Sequence, residues 1–512
     1  MKKRDIVLSI FSCILLVLGF PPFDYSLISW IALVPLLIAL WEKNLKSSFT
    51  LGTLTGFVYF AGTTYWVFNS VYFYGNIPVV VSFFIVTALC LYLAIYVGLF
   101  SILFNSLCRH SRYPALFTVP VLWVTLEFLR TYLLTGFPWS VLGYSQYKFL
   151  QVIQIADITG VLGISFLVAA FNGAVFDVVA YWPNRWKKMP LFDRWPVAVG
   201  LITLVLCFLM TFIYGIWRLH DNEGGRAVLV SVIQGNFEQE KKWDINFKRE
   251  IINTYKRLTD EASKKSPDLV VWPESAIPFV FGRDKSLTSE VIDFQKTQGS
   301  YLLFGGMMER EVENSRKELS NSAVLMSPGG EISASYDKIH LVPFGEYVPL
   351  RKYISFIGKL VIDVGDFKKG EEYAVMDSPV AKISSPICFE IIFPGLVRKF
   401  VNNGAELIAT ITNDAWFGRS SAPYQHFSMA VFRAVENRVP VVRAANTGIS
   451  GFIDQKGRIL KKSDIFEETL LTEEVTIGSF QESFYSKYGD LFAFLCIINT
   501  ILLVANNLYP KK

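Results

Sequence analysis

Three side chains able to support acyl transfer, Glu274, Lys338 and Cys388, each stand at the end of a strand-like run in the second half of the chain. A thiol can accept an acyl group covalently, a nearby carboxylate can take up the thiol proton, and a cation can meet the charge that develops on a carbonyl oxygen. Strand ends are where α/β folds build their sites, because a rigid sheet holds the loops. Each residue alone is also typical of a solvated charge or a buried thiol, so only the three together predict a site. The runs are 269–273, 333–337 and 383–387.

Cys388 is the one thiol outside the apolar parts of the chain. No neighbour in the polar region can close a disulfide with it, so Cys388 is either a buried structural thiol or a reactive one. A free thiol pKa of about 8.5 leaves little thiolate at neutral pH, so a reactive Cys388 needs an adjacent base and a cation. The other cysteines lie in or beside apolar runs, where a thiol behaves as a small hydrophobic group: Cys13, Cys90, Cys108, Cys207 and Cys496.

Other catalytic chemistries find little support in the polar region. It has only His220, His340 and His426 and no Gly-x-Ser-x-Gly segment, which disfavours a serine nucleophile with a histidine base. These histidines lack ligand spacing and have no cysteine cluster beside them, so we expect no metal and no cofactor. We expect His340 to form hydrogen bonds within its loop.

Strand-like and helix-like segments alternate around the three candidate residues, which favours an α/β fold with parallel sheet layers. Residues 246–264 and 424–438 have helical spacing. Short β-branched runs supply the strand candidates. These candidates are 227–234, 268–272, 301–306, 321–326, 382–388, 407–412 and 439–444.

The composition, with 52% hydrophobic and 18% charged residues, is too apolar for an ordinary soluble protein and predicts a membrane protein. Eight apolar stretches reach or approach the length that a spanning helix needs. The first two are short, and Pro21-Pro22 between them marks a tight turn, so we expect them to be tilted or partly re-entrant. A cleaved signal peptide is disfavoured because no small-residue cleavage site follows. The stretches are 6–20, 27–41, 51–72, 79–107, 115–134, 160–181, 197–217 and 491–508.

Lysines and arginines of the short loops fall on one side of the membrane when eight spans are drawn, and Lys148 is almost alone on the other side. Because basic loops stay cytoplasmic, both termini are predicted to be cytoplasmic and the long polar region extracytoplasmic. The predicted domains are a transmembrane domain at 1–217, an extracytoplasmic domain at 218–490, and a last transmembrane helix with its tail at 491–512. The basic residues form no stripe with interleaved aromatic residues, so we expect no nucleic-acid partner.

Glu127 and Arg130 stand three residues apart near the end of the fifth apolar stretch. Charged residues are costly inside a membrane and often functional. Two interpretations stay open for this pair: a structural role near the interface, or contact with a lipid headgroup.

The residues around the three candidates form longer segments: Trp272-Pro273-Glu274-Ser275, residues 336–346, and Pro386-Ile387-Cys388-Phe389-Glu390. Supporting segments are Gln234-Gly235-Asn236, Lys242-Trp243, residues 412–418 and residues 443–448. In order and spacing these segments closely resemble the nitrilase superfamily, whose members use a Glu, Lys, Cys triad at strand ends of an αββα sandwich. With apolar helices on both sides, the whole chain resembles the apolipoprotein N-acyltransferases, the membrane-bound branch of that superfamily.

The resemblance implies that Glu274 is the general base, Lys338 the oxyanion-stabilising cation and Cys388 the acylated nucleophile. Some relatives have Tyr where this chain has Phe389, so a role that needs a phenolic hydroxyl is not carried over. The resemblance further implies three accessory active-site residues and two substrate-binding or gating residues. The first group is Glu346, Phe389 and Glu390, and the second is Trp243 and Trp416.

The resemblance also implies an activity, the last step of bacterial lipoprotein maturation. A phospholipid, with phosphatidylethanolamine as the expected donor, would acylate Cys388 as a thioester, and the N-terminal amine of a diacylated apolipoprotein would then accept the acyl group in a ping-pong reaction. Loops such as 344–366 would exclude water from the thioester. The implied enzyme is a monomer of the bacterial inner membrane with its catalytic domain in the periplasm.

Two other functions compete with this one. A membrane-anchored amidohydrolase of the nitrilase type would use the same triad and let water resolve the acyl-enzyme. Several spans favour a lipid substrate, because one span suffices as an anchor. A transporter or scaffold with an inactive outer domain would predict a damaged triad, whereas all three members are present.

Overall fold

Apolar helices build the first of two units in the computed structural model, which comprises Met1–Tyr65, Phe83–Asp221 and Tyr488–Lys512. The second unit comprises Trp66–Ser82 and Asn222–Lys487. The structure describes residues 2–75, 77–110, 114–181, 195–221, 224–242, 246–312, 316–343, 345–347, 367–478 and 482–508.

Among the described residues, five helices are long and apolar enough to cross a membrane: Val79–Cys108, Ala115–Thr135, Val161–Val179, Ala198–His220 and Leu491–Leu508. A sixth predicted span is a 16-residue helix, Lys3–Leu18, whose length of about 24 Å is less than the hydrocarbon thickness of a bilayer. The predicted stretch 27–41 is divided into the 3₁₀ turn Ser26–Trp30 and the helix Val34–Leu40, and the stretch 51–72 corresponds to the helix Leu45–Thr64. The multispan helical character is confirmed, and the count of eight spans stays a prediction.

Glu127 and Arg130 are both buried inside the first unit. The Glu127 Oε1 accepts a hydrogen bond from the backbone N–H of Leu142 at 2.7 Å, and the Arg130 guanidinium donates to the carbonyls of Trp139 at 2.5 Å and Ser140 at 3.4 Å. These bonds fasten the non-helical turn after the helix Ala115–Tyr132. Of the two interpretations, the contacts favour the structural one.

Two mixed sheets form the centre of the second unit. The first has the order β12-β1-β2-β4-β5-β6 with β3 beside β4, and the second has the order β11-β10-β9-β8-β7. The strands of the first sheet are β1 Arg226–Gln234, β2 Leu269–Val271, β3 Ile277–Phe281, β4 Tyr301–Val312, β5 Arg316–Met326, β6 Ile332–Asp337 and β12 Thr469–Ile477. Those of the second are β7 Ile383–Ser384, β8 Leu407–Thr412, β9 Val441–Ala445, β10 Gly451–Ile453 and β11 Ile459–Lys462.

Each sheet is only partly parallel, which corrects the expectation of parallel layers. In the second sheet, β7, β8 and β9 run parallel, and β10 and β11 continue antiparallel. β1, β2 and β4 run parallel, but β4, β5 and β6 form an antiparallel meander, and β12 pairs antiparallel with β1. The connection between β4 and β5 is too short for the crossover that parallel neighbours require, so these strands must form a hairpin.

Helices cover the outer faces of the two sheets, which gives the layered α/β arrangement that the sequence predicts. Helix Lys248–Ser263 presents an apolar face at helical spacing, and Ile251, Tyr255 and Leu258 are buried in the core against the first sheet. Helix Lys285–Gln295 packs into the same core, while Pro394–Asn402 and Ala422–Asn437 belong to the second sheet. Each buried aliphatic side chain stabilises this packing by about 1.5–3 kcal/mol.

The helix Lys248–Ser263 also fixes the strand end that carries Glu274. The Trp272 ring stacks on Tyr255 with centroids 5.1 Å apart, and its indole N–H donates to the Thr259 hydroxyl at 2.9 Å. Pro273 and Glu274 follow directly. The position of the carboxylate is therefore set by a buried aromatic contact two residues earlier.

Candidate active site

Glu274 lies in the tight turn between β2 and β3, where Ser275 has a φ of +51°. Its carboxylate is nearly buried and accepts hydrogen bonds from the Asn321 amide at 2.8 Å and from the backbone N–H of Asn413 at 2.9 Å. The Lys338 ammonium donates to it at 3.4 Å. Three groups from three different strands or strand ends thus hold one carboxylate.

Lys338 follows β6 and is fully buried. Its Nζ donates to Glu346 Oε1 at 2.9 Å as well as to Glu274, and Asn321 donates to the same Glu346 oxygen at 2.7 Å. Burial disfavours the charged amine, but the two carboxylates outweigh it and raise the pKa of Lys338 above its ordinary value. Lys338 is therefore a permanent cation between two carboxylates.

Cys388 opens the 3₁₀ turn Cys388–Ile392 beyond β7 and has a φ of +54°. A left-handed backbone costs a non-glycine residue of order 1–3 kcal/mol, so the surrounding contacts must hold it in place. Burial and the Glu274 charge raise the pKa of the Cys388 thiol, whereas Lys338 and a hydrogen bond with Thr412 lower it by less. Burial therefore favours the protonated thiol, and the charges of Glu274 and Lys338 act on it in opposite directions.

Glu390 joins the loop of Lys338 to the loop of Cys388. Its Oε1 accepts hydrogen bonds from the Tyr336 hydroxyl at 2.7 Å and from the backbone N–H groups of Ile339 at 2.8 Å and His340 at 2.9 Å. Its Oε2 accepts from the backbone N–H of Ile387 at 2.7 Å. Burial raises the pKa of Glu390 to about 7, and the donors oppose that rise. Glu390 therefore ties the backbone after Lys338 to the backbone before Cys388.

His340 forms its hydrogen bond through the backbone. Its ring lies on Phe393 with centroids 4.0 Å apart and near Phe389 at 5.9 Å. Burial and the charges of Lys369 and Lys338 lower the pKa of His340 to about 4. The half-buried Phe389 is thus part of an aromatic group beside the nucleophile, and its phenyl ring supplies no hydroxyl there.

A buried network beneath Cys388 has no counterpart in the sequence-based prediction. His426 Nε2 lies 3.1 Å from the Cys388 carbonyl oxygen, and His426 Nδ1 lies 3.1 Å from Asp414 Oδ1. Arg443 donates to Asp414 Oδ2 at 2.9 Å. Burial raises the pKa of Asp414, but Arg443 and His426 dominate and hold it well below its usual range. Burial and Arg443 lower the pKa of His426, whereas Asp414 and the hydrogen bond with the Cys388 backbone oppose that shift.

Lys242 and Asn321 also escape prediction, although Lys242 stands inside a segment that resembles the family. Lys242 is fully buried, and its ammonium donates to the backbone carbonyl of Glu274 at 2.9 Å. No periodicity or motif marks such a residue, because its partner is a main-chain oxygen that any sequence supplies. Only the fold brings them together.

Trp416 is held by a segment that lies far away in sequence, Trp66–Ser82 of the same unit. The Ser70 hydroxyl donates to the Trp416 carbonyl at 2.8 Å, and the Asn69 amide donates to the Phe417 carbonyl at 3.0 Å. Trp416 is half-buried and stands three residues after Asn413. The backbone N–H of Asn413 donates to the Glu274 carboxylate. Trp243 and all but residues 345–347 of the predicted covering loop 344–366 lie outside the described residues.

Comparison with known proteins shows similarity along most of the chain. A family model of the apolipoprotein N-acyltransferase N-terminal domain matches residues 12–174, and a carbon-nitrogen hydrolase model matches residues 229–483. The apolipoprotein N-acyltransferase of Geobacter metallireducens is 44% identical over 504 residues, which cover 98% of this chain and 95% of that protein. The protein of the same description from Pasteurella multocida is 32% identical and covers 96% and 93% respectively. Among solved structures, Nit3 of Saccharomyces cerevisiae, a member of branch 10 of the nitrilase superfamily, aligns at 17% identity with a TM-score of 0.39, covering 50% of this chain and 92% of Nit3.

Proposed function

Because the chain belongs to the apolipoprotein N-acyltransferase family, we propose that it moves an acyl chain from a phospholipid to the N-terminal amine of a diacylated apolipoprotein. The observation that supports the proposal is that Cys388, Glu274 and Lys338 are all buried, that Lys338 donates to Glu274, and that the charges of both act on the Cys388 thiol. Glu346 completes it by sharing the Lys338 ammonium. Phosphatidylethanolamine is the donor that we propose.

In the first half-reaction, the Cys388 sulfur forms a bond to the carbonyl carbon of the phospholipid ester, and the thiol proton passes to Glu274. Negative charge develops on the carbonyl oxygen, where the Lys338 ammonium stabilises it. The ester C–O bond then breaks, the lysophospholipid oxygen takes the proton from Glu274, and a thioester remains on Cys388. Removal of one oxyanion donor costs about 3 kcal/mol of transition-state stabilisation.

In the second half-reaction, the N-terminal amine of the acceptor attacks the thioester carbonyl. A C–N bond forms, the C–S bond breaks, and the amine proton passes through Glu274 to the departing sulfur. The sequence of steps restores the thiol, which the raised pKa of Cys388 favours as the resting form. Water must be absent during the lifetime of the thioester, because hydrolysis would release a free fatty acid instead.

The decisive experiment supplies the purified full-length protein with phosphatidylethanolamine and a diacylated lipopeptide that has a free N-terminus. We expect a triacylated lipopeptide by mass spectrometry, and with the phospholipid alone an acyl adduct on Cys388. Free fatty acid without triacylated lipopeptide would contradict the proposal and assign the protein to hydrolysis. Persistence of the acyl adduct in Cys388→Ala would contradict the choice of nucleophile.

We place the protein in the bacterial inner membrane as a multi-pass monomer, with both termini cytoplasmic and residues 218–490 in the periplasm. The five long apolar helices support a membrane location. The distribution of lysine and arginine in the short loops supports this orientation.

A further inference from the structure

His426 belongs to the helix Ala422–Asn437 and has no exposed surface. Its Nε2 lies 3.1 Å from the backbone carbonyl oxygen of Cys388. Its Nδ1 faces the Arg443 guanidinium at 2.9 Å and the Asp414 Oδ1 at 3.1 Å. One ring nitrogen therefore contacts the main chain of the nucleophile, and the other contacts a buried ion pair.

The proton on Nε2 follows from the partner of this nitrogen. A carbonyl oxygen can only accept a hydrogen bond, so His426 Nε2 must carry a hydrogen in order to bond the Cys388 carbonyl. The opposite nitrogen can then accept from Arg443 in a neutral ring or donate to Asp414 in a protonated one. Both forms leave Nε2–H as the donor to the backbone of Cys388.

The ion pair behind the ring fixes the direction in which that donor points. Arg443 donates to Asp414 Oδ2 at 2.9 Å, and the Thr412 hydroxyl donates to Asp414 Oδ1 at 2.9 Å. The chain also leaves space for this carboxylate, because a Cβ atom at Gly448 would lie 2.1 Å from Asp414 Oδ2. The imidazole is thus held from the side that faces away from Cys388.

Cys388 needs such a hold because its φ of +54° lies in the left-handed region, which is unfavourable for a residue with a side chain. The residue before it is held as well, since the Ile387 backbone N–H donates to Glu390 Oε2 at 2.7 Å. The hydrogen bond from His426 acts on the far side of Cys388, at its carbonyl. Rotation of Cys388 toward an ordinary negative φ would break this bond and move the sulfur.

We propose that His426 is a positioning residue for acyl transfer, whose Nε2–H holds the Cys388 carbonyl and so keeps the nucleophile in its left-handed conformation. This proposal rests on the proposed function of the site. Asp414 and Arg443 act through His426 by orienting its ring. Without the hydrogen bond, the thiol spends less time in the position from which it attacks an ester carbonyl.

The first turnover with p-nitrophenyl butyrate measures this attack in the purified full-length protein. The Cys388 sulfur takes the butyryl group, the ester C–O bond breaks, and p-nitrophenol leaves with the thiol proton. The amplitude of the p-nitrophenol burst counts the intact sites, and its rate constant at saturating ester reports the attack by Cys388. Cys388→Ala supplies the blank. Loss of folded protein lowers the amplitude, whereas loss of positioning lowers the rate constant.

Two amides of different length separate the two nitrogens of the ring. The Gln amide nitrogen of His426→Gln reaches the place of Nε2, so this variant should retain the burst rate constant within about threefold. The shorter amide of His426→Asn reaches only the place of Nδ1, so its rate constant should fall about tenfold or more at unchanged amplitude. His220→Asn, a change at an exposed histidine, is the control and should match the wild type.

Three results would overturn the proposal: a wild-type rate constant in His426→Asn, an equal loss of rate in His426→Gln and His426→Asn, or a lower amplitude in His426→Asn with an unchanged rate constant. If His426→Asn does not fold, Asp414→Asn decides. It removes the charge that holds Arg443 behind the ring, so its rate constant should fall about fivefold, and an unchanged rate constant would overturn the proposal.

The ester assay needs neither phospholipid nor lipopeptide. The expected difference between His426→Gln and His426→Asn, in a protein that fails to acylate the lipopeptide, would contradict the proposed function and leave the role of His426 toward Cys388 intact. Normal lipopeptide acylation by the wild type, together with a wild-type burst in His426→Asn, would contradict the role of His426 alone.

Discussion

At Cys388, burial opposes the formation of the thiolate that the proposed acyl transfer needs. Desolvation and Glu274 raise the pKa of its thiol, so an isolated Cys388 would be almost entirely protonated at neutral pH. Two charged groups lie in the same site: the Glu274 carboxylate, which we propose as the base, and the Lys338 ammonium, which is held by Glu274 and Glu346. In the proposed reaction, transfer of the thiol proton to Glu274 accompanies the attack by the Cys388 sulfur.

Residue 305 in β4 must be glycine because the backbone of Pro273 and Glu274 leaves no room for a side chain there. A Cβ atom at residue 305 would lie 2.6 Å from the Glu274 Cα and 2.8 Å from the Pro273 carbonyl oxygen, both of which are backbone atoms. Gly305→Ala should therefore displace the base and reduce lipopeptide acylation by about 100-fold or more. Gly299→Ala is the matched control, since a Cβ there meets nothing within 4 Å. Equal rates for the two variants would contradict the importance of this contact.

Glu390→Gln tests the carboxylate that joins the two catalytic loops. Four donors converge on Glu390, and an amide NH₂ would face donors in place of one oxygen. We expect a loss of about 1–3 kcal/mol in the free energy of unfolding and a lower kcat. Denaturant unfolding and acylation kinetics measure both quantities. The exposed Glu371→Gln serves as control, and a Glu390→Gln protein as stable and active as that control would contradict the positioning role.

Among the features of helices and strands, the positions of strand ends were predicted best from the sequence. The runs before Glu274 and Lys338 are strand ends in the structure. Buried valines mark the first of these strands, Leu269–Val271, whereas the second, Ile332–Asp337, has only its tyrosine buried. The predicted strand 382–388 is reduced to Ile383–Ser384, since Pro386 cannot donate to a ladder and the chain must turn to place Cys388 at positive φ. Short or half-exposed strands such as β3 and β11 gave no periodic signal.

The buried network of Asp414, His426 and Arg443 could not be predicted from the sequence for a different reason. Its members come from a loop, a helix and a strand, and their partners include the main-chain carbonyl of Cys388. Local patterns report which residues share a face of one element. They do not report which elements meet. The segments around Glu274, Lys338 and Cys388 could therefore be recognised in the sequence, whereas the groups that contact them could not.

The contact between the segment Trp66–Ser82 and the loop of Trp416 predicts an effect on catalysis from outside the nitrilase-like chain segment. In the double variant Asn69→Ala and Ser70→Ala, the Phe417 and Trp416 carbonyls lose their side-chain donors. The loop that begins at Asn413 should loosen, and kcat/KM should fall about tenfold, as expected for about 1.4 kcal/mol of lost orientation. Asn402→Ala, an exposed change at a helix end, is the control. Acylation rates that match this control would exclude the coupling.

At the scale of the whole molecule, the orientation in the membrane stays a prediction from the short basic loops. Lys264 is exposed in the polar unit, and Lys46 is exposed in a predicted cytoplasmic loop. In intact spheroplasts, a membrane-impermeant maleimide should label Lys264→Cys, and it should label Lys46→Cys only after permeabilisation. The unsubstituted protein gives the background from native cysteines. The reverse pattern would invert the topology and remove the periplasmic site.

Because the segment Trp66–Ser82 belongs to the second unit, the two units cannot be separated by cutting the chain at one place. The chain leaves the helix Leu45–Thr64, contributes Asn69 and Ser70 to the loop of Trp416, and then continues into the helix Val79–His110. A fragment cut at residues 222–487 would lack this piece, even though it would contain Glu274, Lys338 and Cys388. The unit that contains Glu274, Lys338 and Cys388 is therefore built from two separate parts of the chain, and one of them connects two apolar helices of the other unit.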